Sequence, residues 1–228
     1  MNYGQFCPIA KASEMLGERW TILIIRELIA GGHRFNELQR GLGSISPALL
    51  AARLKSLEAE GLVARRRIPG QRTYEYHPTE ACSALLPVLI AMGEWGLLWA
   101  RHTVTPADID VELLMLYLER SVDPAKLVGN QSVIRFHFKD LPAQRDWWLV
   151  VKDRKVDLCL VDPGHDVDVY FFCTVRTMHD IWMGDLSYGE AVTSGALIVE
   201  GEPALTRNIR SWLNPSVFAG SPRAALRM

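Results

Sequence analysis

The segment from Ser46 to Gly61 constrains the fold of this chain more than any other. Ser46 can cap a helix with its hydroxyl, and Pro47 suits the first helical position, where the N–H that proline lacks would go unpaired. Three leucines then recur at the spacing of one buried helix face: Leu50, Leu54 and Leu57. Gly61 ends the pattern, as glycine commonly does after a last helical turn. The sequence therefore predicts a capped helix with one apolar face.

Helical patterns precede this helix and a hairpin pattern follows it. Glycines follow the second and third apolar-periodic segments, and a Pro69-Gly70 turn separates two β-prone runs. The predicted elements are helices at 9–16, 20–30, 35–42 and 46–61, strands at 62–67 and 73–77, and a long helix from Thr79 to about His102. Two helices joined by a tight glycine turn form a helix-turn-helix, and the hairpin adds a wing. We therefore expect this half to bind double-stranded DNA, with the second helix in the major groove.

The candidate DNA contacts lie on the outer face of the Ser46–Gly61 helix and on the hairpin. Four arginines surround the hairpin turn, where a wing would meet backbone phosphates or a minor groove. The predicted contacts are Arg34, Ser46, Pro47, Ala48, Ala51, Ala52, Arg53, Lys55, Arg65, Arg66, Arg67 and Arg72. The outer helix face is mostly alanine, so Arg53 and Lys55 are its only long donors for base contacts. The alternative for the arginine cluster is a solvated hairpin.

Charge and cysteine usage fit this interpretation without proving it. Residues 1–102 carry 12 Lys and Arg against 9 Asp and Glu, whereas residues 103–228 carry 13 against 17. A mildly basic front and an acidic back favour an anion-binding domain joined to another domain. The four cysteines lack metal-ligand spacing and indicate reduced thiols. We see no signal peptide, and the apolar stretches at 85–92 and 96–100 are short, so we expect a cytoplasmic protein without a membrane partner.

Several spaced motifs between residues 5 and 102 resemble the HxlR-type family of bacterial regulators. They are Cys7-Pro8, Gly17 to Ile24, Arg34 to Leu38, Ile45 to Arg65 with its leucines, Tyr76 to Thr79, and Trp95-Gly96. The resemblance implies a homodimer, with the first and last helices of this domain at the dimer interface, and binding to a pseudo-palindromic operator. This sequence departs from the family in its alanine-rich recognition helix and in Cys82, which stands where glycine is usual.

The resemblance also draws attention to Cys7, because some relatives use a cysteine at this place to sense oxidants. A thiol at a helix N-terminus is shifted towards the reactive thiolate, and Lys11 and Arg19 could add to the effect. The alternative is a small buried residue at a dimer seam, because buried cysteines are usually inert. Both interpretations remain open from the sequence.

The second half has a different pattern, which begins after a boundary at residues 103–108. The predicted elements are helices at 111–120, 177–183, 188–193 and 203–213, and strands at 132–138, 146–152, 155–161, 166–173 and 196–200. Short alternating strands with turn signals between them indicate an antiparallel sheet. The whole chain is therefore predicted to be α+β, with domains at 1–102 and 108–215, and with a tail from Gly220 onwards that is frayed.

Motifs late in the chain resemble a sterol-carrier-protein-type domain. They are Trp182 to Asp185, Gly189 to Ala191 and Gly195 to Glu202. The resemblance implies a curved sheet, helices over it and an apolar cavity between them that takes a fatty acid or a sterol-like ligand. Large or adaptable side chains suit such a pocket. The predicted pocket residues are Met115, Trp148, Phe171, Met178, Trp182 and Met183. The alternative is that these residues simply fill a core.

No catalytic motif is present in the sequence, so we expect neither an enzyme nor a cofactor or metal. Asp166 and Asp168 alternate with valines and are interpreted as the solvent face of a strand, because the spacing of a Ca²⁺ loop is absent. The favoured function is a homodimeric transcriptional repressor that an apolar ligand could modulate. The alternative is a lipid carrier or lipid-modifying protein that uses the winged helix for dimerisation.

Overall fold

The computed structural model describes residues 2–100, 105, 108–127 and 129–222. The chain forms two compact units, residues 1–93 and residues 94–228. Of the predicted boundary at 103–108, residues 103, 104, 106 and 107 lie outside the described residues, as do residues 223–228 of the predicted tail.

The first unit contains the predicted helices followed by a two-stranded hairpin. Its elements are α1 Pro8–Leu16, α2 Thr21–Ile29, α3 Phe35–Gly41, α4 Pro47–Ala59, β1 Val63–Arg67, β2 Tyr74–Pro78 and α5 Glu80–Ser83. The two strands are antiparallel, with Arg65 opposite Tyr76 and Arg67 opposite Tyr74. The core is a single aliphatic cluster that includes the three leucines of α4, each almost fully buried. The winged helix-turn-helix predicted from periodicity is therefore confirmed.

The long helix predicted from Thr79 is interrupted by a turn. The structure has α5, then a turn at 84–85, then α6 Leu86–Trp99. Pro87 explains the break, because it lacks the N–H that a continuous helix would donate to the Ser83 carbonyl and its ring clashes with that carbonyl. The two apolar stretches of the sequence, at 85–92 and 96–100, thus lie almost entirely within α6. By length and composition alone, Glu80–Trp99 is apolar enough to cross a membrane, and little of it is buried within the chain.

The second unit packs helices on a five-stranded sheet. Its strands are β3 Gln131–Phe138, β4 Asp146–Lys152, β5 Lys155–Cys159, β6 Val169–Cys173 and β7 Ile198–Gly201. Its helices are α7 Val111–Ser121, α8 Val175–Met183, α9 Tyr188–Thr193, α10 Pro203–Thr206 and α11 Ile209–Trp212, with a short 3-10 helix at Pro124–Lys126. The order β5-β4-β3-β6-β7 is antiparallel except between β3 and β6, which run parallel. The α+β class is confirmed, and the parallel pair was not foreseen.

Several boundaries in this unit differ from the sequence prediction, most clearly those of β6, β5 and the last helical segment. β6 begins at Val169, because Asp168 is used at the strand entrance, where its carboxylate accepts a 2.7 Å hydrogen bond from the Val133 N–H. Asp166 and Asp168 therefore precede the strand and do not alternate along it. β5 ends at Cys159, and the helix predicted at 203–213 is divided into α10 and α11.

Candidate nucleic-acid interface

The outer face of helix α4 consists mostly of small side chains. The Ser46 hydroxyl accepts a 3.3 Å hydrogen bond from the Leu49 N–H, so the predicted cap is present. The residues of the outer face are all exposed: Ser46, Pro47, Ala48, Ala51, Ala52 and Lys55. Small side chains allow the helix backbone to approach a groove closely, and the alanine methyls can contact thymine methyls. Lys55 is the long cation of this face, and no described residue pairs with it.

Arg53 is placed differently from the prediction that it reads bases. Its guanidinium forms an ion pair with Glu18, and its Nε donates a 3.2 Å hydrogen bond to the Arg19 carbonyl. These contacts hold the turn before α2, where Trp20 has a φ of 78°, a left-handed conformation that costs a non-glycine residue energy. Arg53 therefore anchors α4 to this turn. The sequence carried no local signal for this pairing, because the partners are separated by two helices.

Arg34 lies where α3 begins beside the wing. The Glu37 carboxylate accepts 2.9 Å hydrogen bonds from the N–H groups of His33 and Arg34 and so satisfies two donors at the start of α3. The Arg34 side chain is exposed and lies 3.9 Å from the Glu75 carboxylate of β2. An isolated backbone bridge also joins Arg34 to Glu75. Arg34 thus links α3 to the hairpin while its side chain remains accessible.

The four wing arginines have different surroundings. The Arg65 guanidinium lies 3.8 Å from the centre of the Tyr74 ring, and a side-chain hydrogen bond with Tyr74 raises the pKa of Arg65. Arg67 Nε donates a 3.4 Å hydrogen bond to the Gln71 carbonyl within the turn. Arg66 and Arg72 are exposed, and among the described residues neither has a hydrogen bond or an ion pair. Arg66 and Arg72 are therefore the wing cations that are free to meet phosphates.

A buried ion pair lies beneath the helix-turn-helix. Glu27 of α2 is fully buried and pairs with Arg26 at 2.8 Å, while Arg26 also donates to the Gly41 carbonyl at 3.1 Å. A Cβ added to Gly41 would overlap the Glu27 carboxylate. The contact fixes the end of α3, and with it the turn that leads to α4. The predicted site residues did not include these three positions.

Cys7 lies directly before α1, at its N-cap position, and is a half-buried free thiol. Both cations that the sequence suggested as activators have other contacts. Lys11 pairs with Glu14 at 2.9 Å, and the Arg19 guanidinium lies 5.4 Å from the centre of the Trp20 ring. Cys82, by contrast, is fully buried, and burial raises the pKa of its thiol. Cys82 thus packs in the core, and oxidant sensing by Cys7 stays a prediction.

The residues predicted to line a pocket in the second unit separate into three places. Met115, Phe171 and Met178 are fully buried in the core between helices and sheet. Trp148 lies on β4 with its ring 5.7 Å from the Arg135 guanidinium, outside that core cluster. Trp182 and Met183 are half-buried at the end of α8. Of the six residues, only Trp182 lines the cavity that opens between α8, α9 and α11.

Comparison with known proteins agrees with this architecture. Residues 15–104 match the family model of the HxlR-like helix-turn-helix, and residues 114–214 match that of the SCP-2 sterol transfer family. The helix-turn-helix-type transcriptional regulator YvaP of Bacillus subtilis is 39% identical over 112 residues, which are 48% of this chain and 100% of YvaP. YybR of the same organism, a regulator of the same type, is 34% identical over 93 residues, or 40% of this chain and 73% of YybR.

A solved structure of the transcriptional regulator YodB from B. subtilis in its reduced form is 34% identical, with a TM-score of 0.38, covering 42% of this chain and 97% of YodB. YvaP is matched over its whole length, and the helix-turn-helix with its wing is present in the first unit. The chain therefore belongs to the HxlR-like helix-turn-helix family of transcriptional regulators and carries, after that module, a domain of the SCP-2 sterol transfer family.

Proposed function

We propose that this protein is a repressor that binds a pseudo-palindromic operator as a homodimer, and that an apolar ligand in its second unit adjusts its affinity for DNA. The observation that carries the DNA-binding part is the geometry of the first unit. An exposed, capped α4 with a smooth alanine face is followed by a hairpin on which Arg66 and Arg72 have no partner among the described residues. A helix for the major groove and free cations for phosphates are what a winged helix uses on DNA.

The homodimer is supported by an apolar stripe along α6. Four exposed side chains recur at intervals of four, three and four residues, which places them on one face of the helix: Val88, Met92, Trp95 and Trp99. Trp95 and Trp99 are 62% and 59% exposed, and Phe6 before α1 is 98% exposed. Large apolar surface of this kind marks an interaction site, and a second copy of the chain presents the same stripe.

Specificity in this proposal comes from few side chains. Because Arg53 is held by Glu18, Lys55 is the remaining long donor on the outer face of α4. Sequence would then be read by thymine-methyl contacts, by Lys55 and by the spacing of two half-sites on a dimer. Most of the binding free energy would come from phosphates, so the affinity should fall steeply with salt.

The test replaces Arg66 and Arg72 by alanine and measures binding to the chain's own upstream DNA across a salt titration. A homodimer would lose four phosphate contacts, two on each wing, which should weaken binding to every sequence and reduce the slope of log K against log salt by about 3 to 4. The matched control is Lys126→Ala plus Arg207→Ala, which removes the same charge from exposed positions of the second unit. An unchanged slope in the Arg66 and Arg72 variant would refute the wing assignment.

A second arm of the same experiment addresses base reading. Lys55→Ala should lower the ratio of operator affinity to nonspecific affinity, since a base contact contributes to discrimination and a phosphate contact does not. Derepression of a reporter that carries the operator, on deletion of the protein, distinguishes a repressor from an activator.

A further inference from the structure

A cavity of about 310 Å³ lies in the second unit, away from the packed interior between helices and sheet. It opens between the end of α8, the start of α9, α11 and the segment that follows α11. Its walls include Trp182, Tyr188, Arg210, Asn214 and Ala219. Pockets for small molecules begin at roughly 300 Å³, so this volume suits a compact ligand and is small for a sterol.

One wall of the cavity is a fixed aromatic ring. Trp182 stacks on Tyr117 with ring centres 5.1 Å apart and planes 8° from parallel. The indole N–H donates a 2.9 Å hydrogen bond to the Ser121 hydroxyl, so the polar atom of the ring already has a partner. What Trp182 offers a ligand is therefore apolar ring surface, held in one orientation. Such a wall favours a flat, apolar ligand that can stack on it.

A cation and a phenol lie at the same cavity. Arg210 is exposed, and no described carboxylate lies within ion-pair distance of it. The Tyr188 hydroxyl has no hydrogen-bond partner among the described residues. Burial raises the pKa of Tyr188, and the charge of Arg210 opposes that rise. A neutral phenol O–H and a guanidinium that line one cavity can both donate to a carboxylate.

The segment after α11 forms the remaining wall and is held against α8. The Ser216 N–H donates a 2.8 Å hydrogen bond to the Trp182 carbonyl. Gly184, at the end of α8 with a φ of 78°, lies so close to Ala219 that a Cβ there would be 2.8 Å from the Ala219 carbonyl oxygen. Glycine at position 184 therefore permits the close approach of Ala219, and the segment around Ala219 closes the cavity.

We propose that this cavity binds a compact aromatic carboxylate, with the ring on Trp182 and the carboxylate between Arg210 and Tyr188. This site rests on the ligand control proposed above, and it changes the expected ligand from a fatty acid or sterol-like molecule to a small aromatic acid. It differs from the predicted pocket in location, since Met115, Phe171 and Met178 belong to the packed core. It also explains why an uncompensated cation lies beside apolar and aromatic walls.

The test measures binding of 2-naphthoate to the full chain by isothermal titration calorimetry, with uncharged 2-naphthamide as the matched probe. The carboxylate should bind at least about tenfold more tightly than the amide, because hydrogen bonds to charged groups are the stronger ones. Arg210→Gln should weaken 2-naphthoate binding by about the same factor and leave 2-naphthamide binding unchanged. Tyr188→Phe should weaken 2-naphthoate binding by less. Arg207→Gln is the control, because Arg207 is an exposed arginine that does not line the cavity.

Equal affinities for the acid and the amide, or an Arg210→Gln variant that binds 2-naphthoate as the parent does, would overturn the proposal. So would tighter, Arg210-independent binding of decanoate or cholesterol. Operator binding, measured in parallel, separates the two proposals. A chain that binds 2-naphthoate through Arg210 but binds no DNA supports this site and refutes the repressor.

Discussion

The two units of this protein distribute their large apolar side chains in opposite ways. The sheet of the second unit covers large aromatics, with Phe136, Phe171 and Trp212 in a core beneath it. The core of the first unit is a smaller, mainly aliphatic cluster. Large apolar residues outside that cluster, before and on α1 and along α6, are exposed instead, among them Phe6, Ile9 and Met92. The exposed stripe of α6 continues past Gly93, where the first unit ends, through Trp95 and Trp99.

The two distributions differ in what would stabilise each set of apolar side chains. A domain that buries its aromatics gains its stability from its own contacts. A helix whose aromatic stripe is in water gains that stability only when another surface covers it. We therefore expect the effects of substitutions along α6 to depend on protein concentration, and those in the core beneath the sheet to be independent of it.

The largest effect is expected from Trp95→Glu combined with Trp99→Glu. Two charges in a seam that buries two tryptophans should weaken self-association by at least about 100-fold, from lost apolar burial and buried charge. Sedimentation velocity should show a monomer at concentrations where the parent is a dimer, and operator affinity should fall with it.

The matched control is Leu160→Glu plus Val161→Glu, which places the same charges at exposed apolar positions of the second unit. It should leave the sedimentation coefficient unchanged. If the tryptophan variant remained a dimer, α6 would not be the seam, and the contrast between the two units would lose its functional meaning.

An intermediate effect is expected from Gly41→Ala. The new Cβ would overlap the buried Glu27 carboxylate, so that this carboxylate would have to shift from its contact with Arg26. We expect a loss of about 2 to 4 kcal/mol in the free energy of unfolding of the first unit. Chemical denaturation followed by circular dichroism measures it.

Gly189→Ala is the comparison for that substitution, since Gly189 is also helical but its Cβ would meet nothing closer than 4.0 Å. Alanine should be neutral there or stabilise by up to about 1 kcal/mol. Equal losses at the two positions would contradict the steric account, because only Gly41 faces a buried carboxylate.

Local patterns in the sequence were sufficient for most of the fold. Ser46-Pro47, the α4 leucines and the hairpin turn each act within a few residues, and the structure confirms the winged helix-turn-helix they predict. The interruption before Pro87 was missed, because the apolar pattern predicted one continuous helix from Thr79, although proline removes a specific backbone donor. The parallel pairing of β3 and β6 was also missed, because alternation along a strand specifies which face is buried and not which neighbour it pairs with.

The candidate sites were less accessible to sequence reasoning, because the partner of a charged side chain can be far away along the chain. Arg53 and Lys55 look equivalent on a helical pattern, yet Glu18 and the Arg19 carbonyl occupy Arg53 and leave Lys55 exposed. Tyr74 similarly distinguishes Arg65 from Arg66. In the second unit, composition identified aromatic and methionine residues, and only packing showed that three of the six predicted pocket residues fill the core.

The smallest effect is expected from Asp180→Asn in α8. Burial alone would raise the pKa of Asp180, but hydrogen bonds from His179 and Arg176 outweigh burial and hold the pKa below its usual value. Since the folded-state pKa is lowered, the stabilisation is present above about pH 4 and is lost as the pH falls through the folded-state pKa. Asn should therefore cost about 1 kcal/mol at pH 7, with the difference vanishing in acid.

Thermal unfolding of the parent, Asp180→Asn and the exposed control Asp157→Asn between pH 7 and pH 3 measures this difference. A constant difference across that range would mean that the Asp180 charge contributes nothing. Repeating the pH 7 measurement at tenfold lower protein concentration completes the comparison of the two units. The Asp180 effect should not change, because its partners belong to the same chain, whereas the Trp95 and Trp99 effect should change if, as proposed, a second copy covers them.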